Sequence, residues 1–298
     1  MSAAEVLPVV EERERTVAKP GRVVTIEPSK AERNPSRHAN RQRWTNILLG
    51  TVPPLLLLIT WQYGTSSGSV DTRFFPAPST IADEGWELLS SGALVDDVMA
   101  TLRMVGIGFA FGSVLGIVVG LVMGTLPVAG AMLRPSVTAA YTIPKLGVFP
   151  LLLLIFGIGD TPKLVLVGAT VFLLVALATA DAAAGVPAGV KDVGQAFGAS
   201  YPRKLIEIVL PSSLPGIFTS LRLSMGISLL IVIATEFVNG REGIGFLIWN
   251  SWNLFQPAPM YVGVITSAVV GVVITSLVGV VERICTPWAR GSKGRAVI

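Results

Sequence analysis

Long apolar stretches separated by short polar connections dominate the chain after Trp44. A helix needs about 20 apolar residues to cross the hydrocarbon core of a bilayer. Six stretches approach that length: 44–63, 103–126, 133–156, 162–180, 213–238 and 260–281. Pro135, Pro144 and Pro150 interrupt the third, and the sixth carries no charged residue. The pattern predicts an all-α, polytopic membrane protein with about six transmembrane helices in a domain over 44–285. Residues 1–43 are polar and charged, with Pro20, Pro28 and Pro35, and are predicted to be a disordered tail. Residues 286–298 form a second, shorter tail.

Composition agrees with lipid as the solvent. Hydrophobic residues make up 51% of the 298 and charged residues only 14%, about half the charge of an ordinary soluble domain. The net charge of +4 is unevenly placed, since nine of the 23 Lys and Arg precede Trp44. Basic residues gather on the cytoplasmic side of membrane proteins, so the tail belongs in the cytoplasm. An even number of spans then returns Arg283, Arg290, Lys293 and Arg295 to the same side, along with Lys191, Arg203 and Lys204 between the fourth and fifth spans. The opposite side receives 64–98, with Asp71, Asp83, Glu84, Glu87, Asp96 and Asp97. The basic balance thus reads as topology in a cytoplasmic membrane, with the bilayer as partner and no nucleic-acid partner expected.

Finer patterning adds four features. Residues 79–100 read as an amphipathic interfacial helix capped by Ser79, with Ile81, Trp86, Leu88, Leu89, Leu94, Val95 and Val98 on its apolar face. In the second span Gly108, Gly112, Gly116, Gly120 and Gly124 recur every fourth residue, a shallow ridge for close helix packing. Trp249, Trp252 and Phe255 sit where an interfacial aromatic belt is expected, and a docking surface for an outer partner is the other reading. Lys145, Arg222 and Glu236 lie at membrane depth, with Asp181 at a helix end. For Lys145 and Glu236, lining a translocation path and making a structural pair are both open. Arg222 and Asp181 read as structural.

Catalytic chemistry is poorly supplied. One histidine (His38) and one cysteine (Cys285) argue against His-dependent hydrolysis, an internal disulfide and a His/Cys metal centre. No G-x-x-x-x-G-K-[ST], H-E-x-x-H or G-x-S-x-G occurs. The chain is expected to be no enzyme, to bind no cofactor and to have neither catalytic nor metal residues. Any ATP driving it would be bound elsewhere.

The stretch 188–211, AGVKDVGQAFGASYPRKLIEIVLP, is longer than a connection between two spans requires. Its middle is compatible with a short helix, Gly198 permits a turn, and Phe197 offers an apolar anchor. The spacing of Asp192, Gly198, Ile208, Leu210 and Pro211 resembles the EAA loop of ABC-type importer permeases: Glu-Ala-Ala, three residues, Gly, nine residues, Ile-x-Leu-Pro. Here Asp192-Val193-Gly194 stands in place of Glu-Ala-Ala. From 75 to 283 the chain is most similar to the nitrate/sulfonate/taurine branch of these permeases. The likeness runs through Phe75-Pro76-Ala77-Pro78-Ser79, Thr101-Leu102-Arg103, Gly108-Phe109, Ile143-Pro144-Lys145, Phe149-Pro150-Leu151 and Phe156-Gly157-Ile158-Gly159. It continues through Leu214-Pro215-Gly216-Ile217, Leu221-Arg222-Leu223, Glu236 and Gly243-Ile244-Gly245.

The resemblance implies a type I ABC importer permease fold and a division of labour. Two permease copies, expected as a homodimer, would form the path for a small anionic solute. Two ATPase subunits would hold ATP and Mg, and an extracytoplasmic solute-binding protein would deliver the solute. The ATPase-coupling contact would centre on Asp192, Val193, Gly194, Gln195, Ala196, Phe197, Gly198, Ala199 and Ser200, with Ile208, Leu210 and Pro211 closing the loop. The competing reading is an ion-coupled secondary transporter or channel, which has no use for such a loop.

Overall fold

A computed structural model describes residues 35–291, apart from the side chains of 35–44, Ile47, Lys191, Val193, Gln195, Arg290 and Gly291. The described residues contain no strand. The helices are α1 (Pro35–Ser66), α2 (Pro78–Ser90), α3 (Ala93–Thr125), α4 (Pro127–Thr142), α5 (Lys145–Phe156), α6 (Asp160–Ala184) and α7 (Ala188–Ala196). They continue with α8 (Tyr201–Asn239), α9 (Ile244–Asn253) and α10 (Pro257–Cys285). A 3-10 turn, Pro287–Gly291, follows. Among the described residues, those up to Ile59 and those from Thr60 onward form separate compact units.

Among the described residues four helices, α3, α6, α8 and α10, are long and apolar enough to cross a membrane. The pair α4 and α5 makes a fifth crossing if counted as one span, although it bends by 93°. Helix α1 holds the first predicted span, with Pro53 and Pro54 inside it. It also begins at Pro35, nine residues inside the stretch predicted to be disordered; residues 1–34 lie outside the described residues, as do 292–298.

The bend in the third predicted span has a local cause. Proline disfavours the helical region for the residue before it, and Ile143, before Pro144, is extended at φ −64° and ψ 132°. Lys145 then folds back across the break. Its Nζ donates to the carbonyls of Ala140 (3.3 Å), Tyr141 and Ile143 (2.8 Å). A cation on the orphan carbonyls at a helix C-terminus opposes the negative end of the helix dipole. Lys145, a candidate for the path, is therefore engaged as the staple of this bend.

The amphipathic segment divides differently from its expectation. Gly92, left-handed at φ +86°, breaks it into α2 and the start of α3, so 93–100 belong to the spanning helix. The cap at Ser79 is reversed. Pro78 opens α2, and the Ser79 backbone N–H is received by Gln62 Oε1 (3.1 Å) while Gln62 Nε2 donates to Ser79 Oγ (3.2 Å).

The core is built on the glycine ridge, whose five members all face α6. A Cβ on Gly112 would stand 2.5 Å from the Gly168 carbonyl oxygen and 2.8 Å from Val171 Cβ. On Gly108 it would meet Val167 (2.7 Å), on Gly116 Val175 (2.9 Å), on Gly120 Thr179 (2.6 Å) and on Gly124 Ala183 (2.8 Å). The partners advance by four residues with each glycine, so α3 and α6 run parallel. Around this seam Val105, Val167, Val171, Val175 and Val232 are buried, with Phe149 and Ile274 closing the cluster.

Candidate functional site

Two places carry polar or exposed groups that packing alone does not require. They lie at opposite ends of α8.

The first is the loop between α6 and α8. Helix α7 ends at Ala196, and Gly198, two residues on, is left-handed at a φ of +66°. The Ala199 N–H reaches back to the Gly194 carbonyl at 2.9 Å. That pair is a Schellman stop, which glycine satisfies without the steric cost of a Cβ. Gly194, standing where the family pattern has its second Ala, is buried under Ile208, whose tip would overlap a Cβ there. The Ile-x-Leu-Pro end of the motif thus packs on its beginning. Val209 joins Leu121, Ala183 and Val186 in a small buried cluster that roots the loop in α3 and α6. A hydrogen bond between the Thr125 and Tyr201 hydroxyls (2.8 Å) adds a polar tie.

What the loop leaves outside is apolar. Phe197 is 87% exposed, and Val190, Tyr201 and Ile206 are exposed with it. Asp192, Ala196 and Ser200 are exposed, Ala199 is half-exposed, and Leu210 and Pro211 are half-buried at the start of the long helix. From Tyr201 onward the backbone is helical without a break to Asn239, passing through a π turn at Leu205–Val209. The sequence reading placed a connection up to the fifth span at 213; the chain instead enters that helix twelve residues earlier.

The second place is at the other end of α8. Helix α9 begins with three successive backbone N–H groups that no helical carbonyl can take. Gly243 N–H donates to Asp97 Oδ1 (2.7 Å), Ile244 N–H to Thr101 Oγ1 (2.9 Å) and Gly245 N–H to Glu236 Oε2 (2.7 Å). The Thr101 hydroxyl in turn donates to the Glu236 carboxylate, at 2.9 Å from Oε1. Asp97 and Thr101, four apart, lie on one face of α3. Thr101 is fully buried and Glu236 is 2% exposed. Lys163, also buried, pairs with Asp160 at 3.6 Å and lies near enough for its charge to act on Glu236. Side chains on Gly243 or Gly245 would overlap Glu236. Glu236, a candidate for the path, is thus closed off within a tertiary helix cap. The sequence showed Thr101, Glu236 and Gly243-Ile244-Gly245 as separate marks; nothing in their spacing joins residues 135 and 143 positions apart.

Arg222 and Asp181, the other two ionisable groups marked in the sequence, are both paired. Arg222 of α8 is bonded to Glu282 of α10, and Arg134 of α4 reaches Asp181 of α6 at 2.9 Å. Beside Arg222 an open cavity of about 810 Å³ is lined by Pro215, Thr219, Glu282, Arg283 and Thr286. Trp249 stacks between Phe237 (5.7 Å) and Trp252 (4.9 Å) on α9. Among the described residues no group of His, Cys, Asp and Glu is placed to hold a metal ion.

Comparison with known proteins fits this arrangement. The family described as "Binding-protein-dependent transport system inner membrane component" matches residues 112–284. The bicarbonate transport system permease protein CmpB of Synechococcus elongatus is 30% identical over 267 residues, 84% of this chain and 95% of that protein. The riboflavin transport system permease protein RibX of Chloroflexus aurantiacus is 29% identical, over 85% of this chain and 94% of its own. The taurine transport system permease protein TauC of Escherichia coli is 26% identical, over 86% and 96%. Among solved structures, an inward-facing MetNI methionine ABC transporter superposes with a TM-score of 0.59 at 21% identity, covering 66% of this chain and 98% of that one, which establishes the shared fold. With its bundle of apolar helices, its glycine-stopped loop and a family match across both, the chain belongs to the binding-protein-dependent transport system inner membrane components.

Proposed function

We propose that two copies of this chain form the path by which a small anionic solute enters across the cytoplasmic membrane. Both termini and the loop around Gly198 face the cytoplasm, and α9 faces outward. Two ATPase subunits, holding ATP and Mg, grip the loop, and an extracytoplasmic binding protein presents the solute to the other side. The observation that carries this reading is the loop itself. Phe197 is held almost fully exposed just past a short helix whose Gly194 is packed under Ile208, and that loop runs directly into a 39-residue helix. An exposed apolar knob with a buried root is the form a protein–protein anchor takes. The solute class is supported by the sequence likeness to the nitrate/sulfonate/taurine branch and by the substrates in the names of CmpB and TauC; the name of RibX shows that the fold also serves other solutes.

The test is uptake by vesicles containing the permease, its ATPase and its binding protein, with radiolabelled bicarbonate, an anion, and taurine, which carries a sulfonate, as trial solutes. Uptake is expected to stop when ATP is depleted while the ion gradients are held. Persistence of uptake under those conditions would point to the ion-coupled carrier and sink the proposal.

A further inference from the structure

We propose that Asp97, Thr101 and Glu236 form a latch that carries motion from the loop around Gly198 to α9 at the opposite face of the membrane. This rests on the coupling role proposed above and adds the route by which the loop's movement reaches the outer end.

Three observations support it. Helix α8 is one rod of 39 residues, about 58 Å long at 1.5 Å per residue. Its first turns carry the root of the loop, and Glu236 lies three residues from its last. The features that let a helix bend, the π turn at Leu205–Val209 and Pro215, lie at the loop end. Between Pro215 and Asn239 the helix runs on with no further proline or π turn.

Helix α9 has ten residues, about 15 Å, and is too short to cross the membrane. Its position is therefore set by what holds its ends. At its start, the chain is held by three hydrogen bonds to two other helices. At its far end Phe255 is a non-glycine residue at φ +54°, in the tight turn into α10. Against α10 the contact is apolar, Ile248 seated on Gly263, and such a surface can slide. The bonds to Asp97, Thr101 and Glu236 are directional, and those to Thr101 and Glu236 are buried, so displacement of α8 or α3 draws the start of α9 with it.

The third observation is that the latch is enforced by the backbone. Gly243, at φ +113°, lies directly against the Glu236 carboxylate, and Gly245 lies against Glu236 and the Ile233 carbonyl. The Thr101 hydroxyl serves twice, accepting from Ile244 and donating to Glu236. Removing that one hydroxyl therefore opens two links. These are positioning residues; none is asked to touch the solute.

The experiment reads distance changes between spin labels in the full permease–ATPase complex, in a Cys285→Ser background. Labels at Asn250→Cys and Glu87→Cys report α9 against α2. Labels at Gly189→Cys and Val128→Cys report the loop against α4. On addition of ATP and vanadate both pairs are expected to shift in the otherwise unaltered protein. In Thr101→Val the loop pair is expected to shift as before, while the α9 shift falls to less than a third and uptake per ATP hydrolysed falls about tenfold. Thr101→Ser, which keeps the hydroxyl, is expected to restore both. Glu236→Gln serves as a second variant should Thr101→Val fail to assemble. An α9 shift of full size in Thr101→Val or Glu236→Gln overturns the latch, as does an α9 pair that stays still while the loop pair moves. If the loop pair itself is unmoved by nucleotide, the coupling role proposed above fails, and the latch, with nothing to transmit, falls with it.

Discussion

Adding one methyl group to the ridge at Gly112 should loosen the seam between α3 and α6. The new Cβ would lie 2.5 Å from the Gly168 carbonyl oxygen, 2.8 Å from Val171 Cβ and 3.0 Å from the Phe172 nitrogen. Two of those three are backbone atoms, so no side-chain rotation relieves the overlap. A carbon and an oxygen in ordinary contact stand nearly an ångström further apart, and the helices must separate by about that much. Gly108 and Gly116, one turn to either side, are equally tight, so the separation strips contacts along the seam. An inserted methylene in a well-packed core typically costs about 1–3 kcal/mol, and the backbone partners place Gly112→Ala in the upper half of that range. At about 2–4 °C per kcal/mol for a domain of this size, the melting temperature of the detergent-solubilised protein should fall by about 4–12 °C. The control is Gly106→Ala in the same helix, where a Cβ meets nothing within 4 Å. It should be neutral or slightly stabilising, since alanine is favoured over glycine inside a helix by up to about 1 kcal/mol. Equal melting temperatures for the two variants would refute the packing argument, because helix propensity alone treats the sites alike.

At Gly198 the strain is conformational, since a Cβ there has open space but φ is +66°. Gly198→Val should cost about 1–2 kcal/mol and lower uptake per ATP hydrolysed, with Gly198→Asn intermediate because asparagine tolerates the left-handed region. Lys145→Met removes the charged donor from the carbonyls of Ala140, Tyr141 and Ile143, and should lower stability by about 1 kcal/mol at this partly exposed site, seen as a fall in melting temperature that Lys145→Arg partly reverses. Arg222→Met leaves Glu282, whose side chain is 18% exposed, without its cation and should cost about 1–2 kcal/mol. Asp181→Asn breaks the more exposed pair with Arg134 and should stay within about 0.5 kcal/mol; thermal unfolding of the two variants side by side checks the order.

Which of these features could be read from the sequence follows from the range of the forces that set them. The apolar runs and the bias of basic residues are local or summed properties, so the membrane class and most of the spans were legible. The ridge was legible as a ridge because a period of four places all its members on one face, although the identity of its partner helix needed the fold. The loop was legible because glycine and proline impose their conformations wherever they stand; the stop at Gly198 depends on its own φ and on a carbonyl four residues earlier. Glu236 is different. A carboxylate at membrane depth demands a partner, and the sequence could announce that demand but not its answer. The partners are an amide nine residues ahead and a hydroxyl 135 residues behind, joined only because α3, α8 and α9 meet at one end of the bundle. Lys145 differs in range: its partners, the carbonyls of Ala140, Tyr141 and Ile143, stand two to five residues away. The two candidates for the path thus part company. Lys145 fixes a bend within one span, whereas Glu236 ties three helices together, and only a group of the second kind can pass a movement from one helix to another.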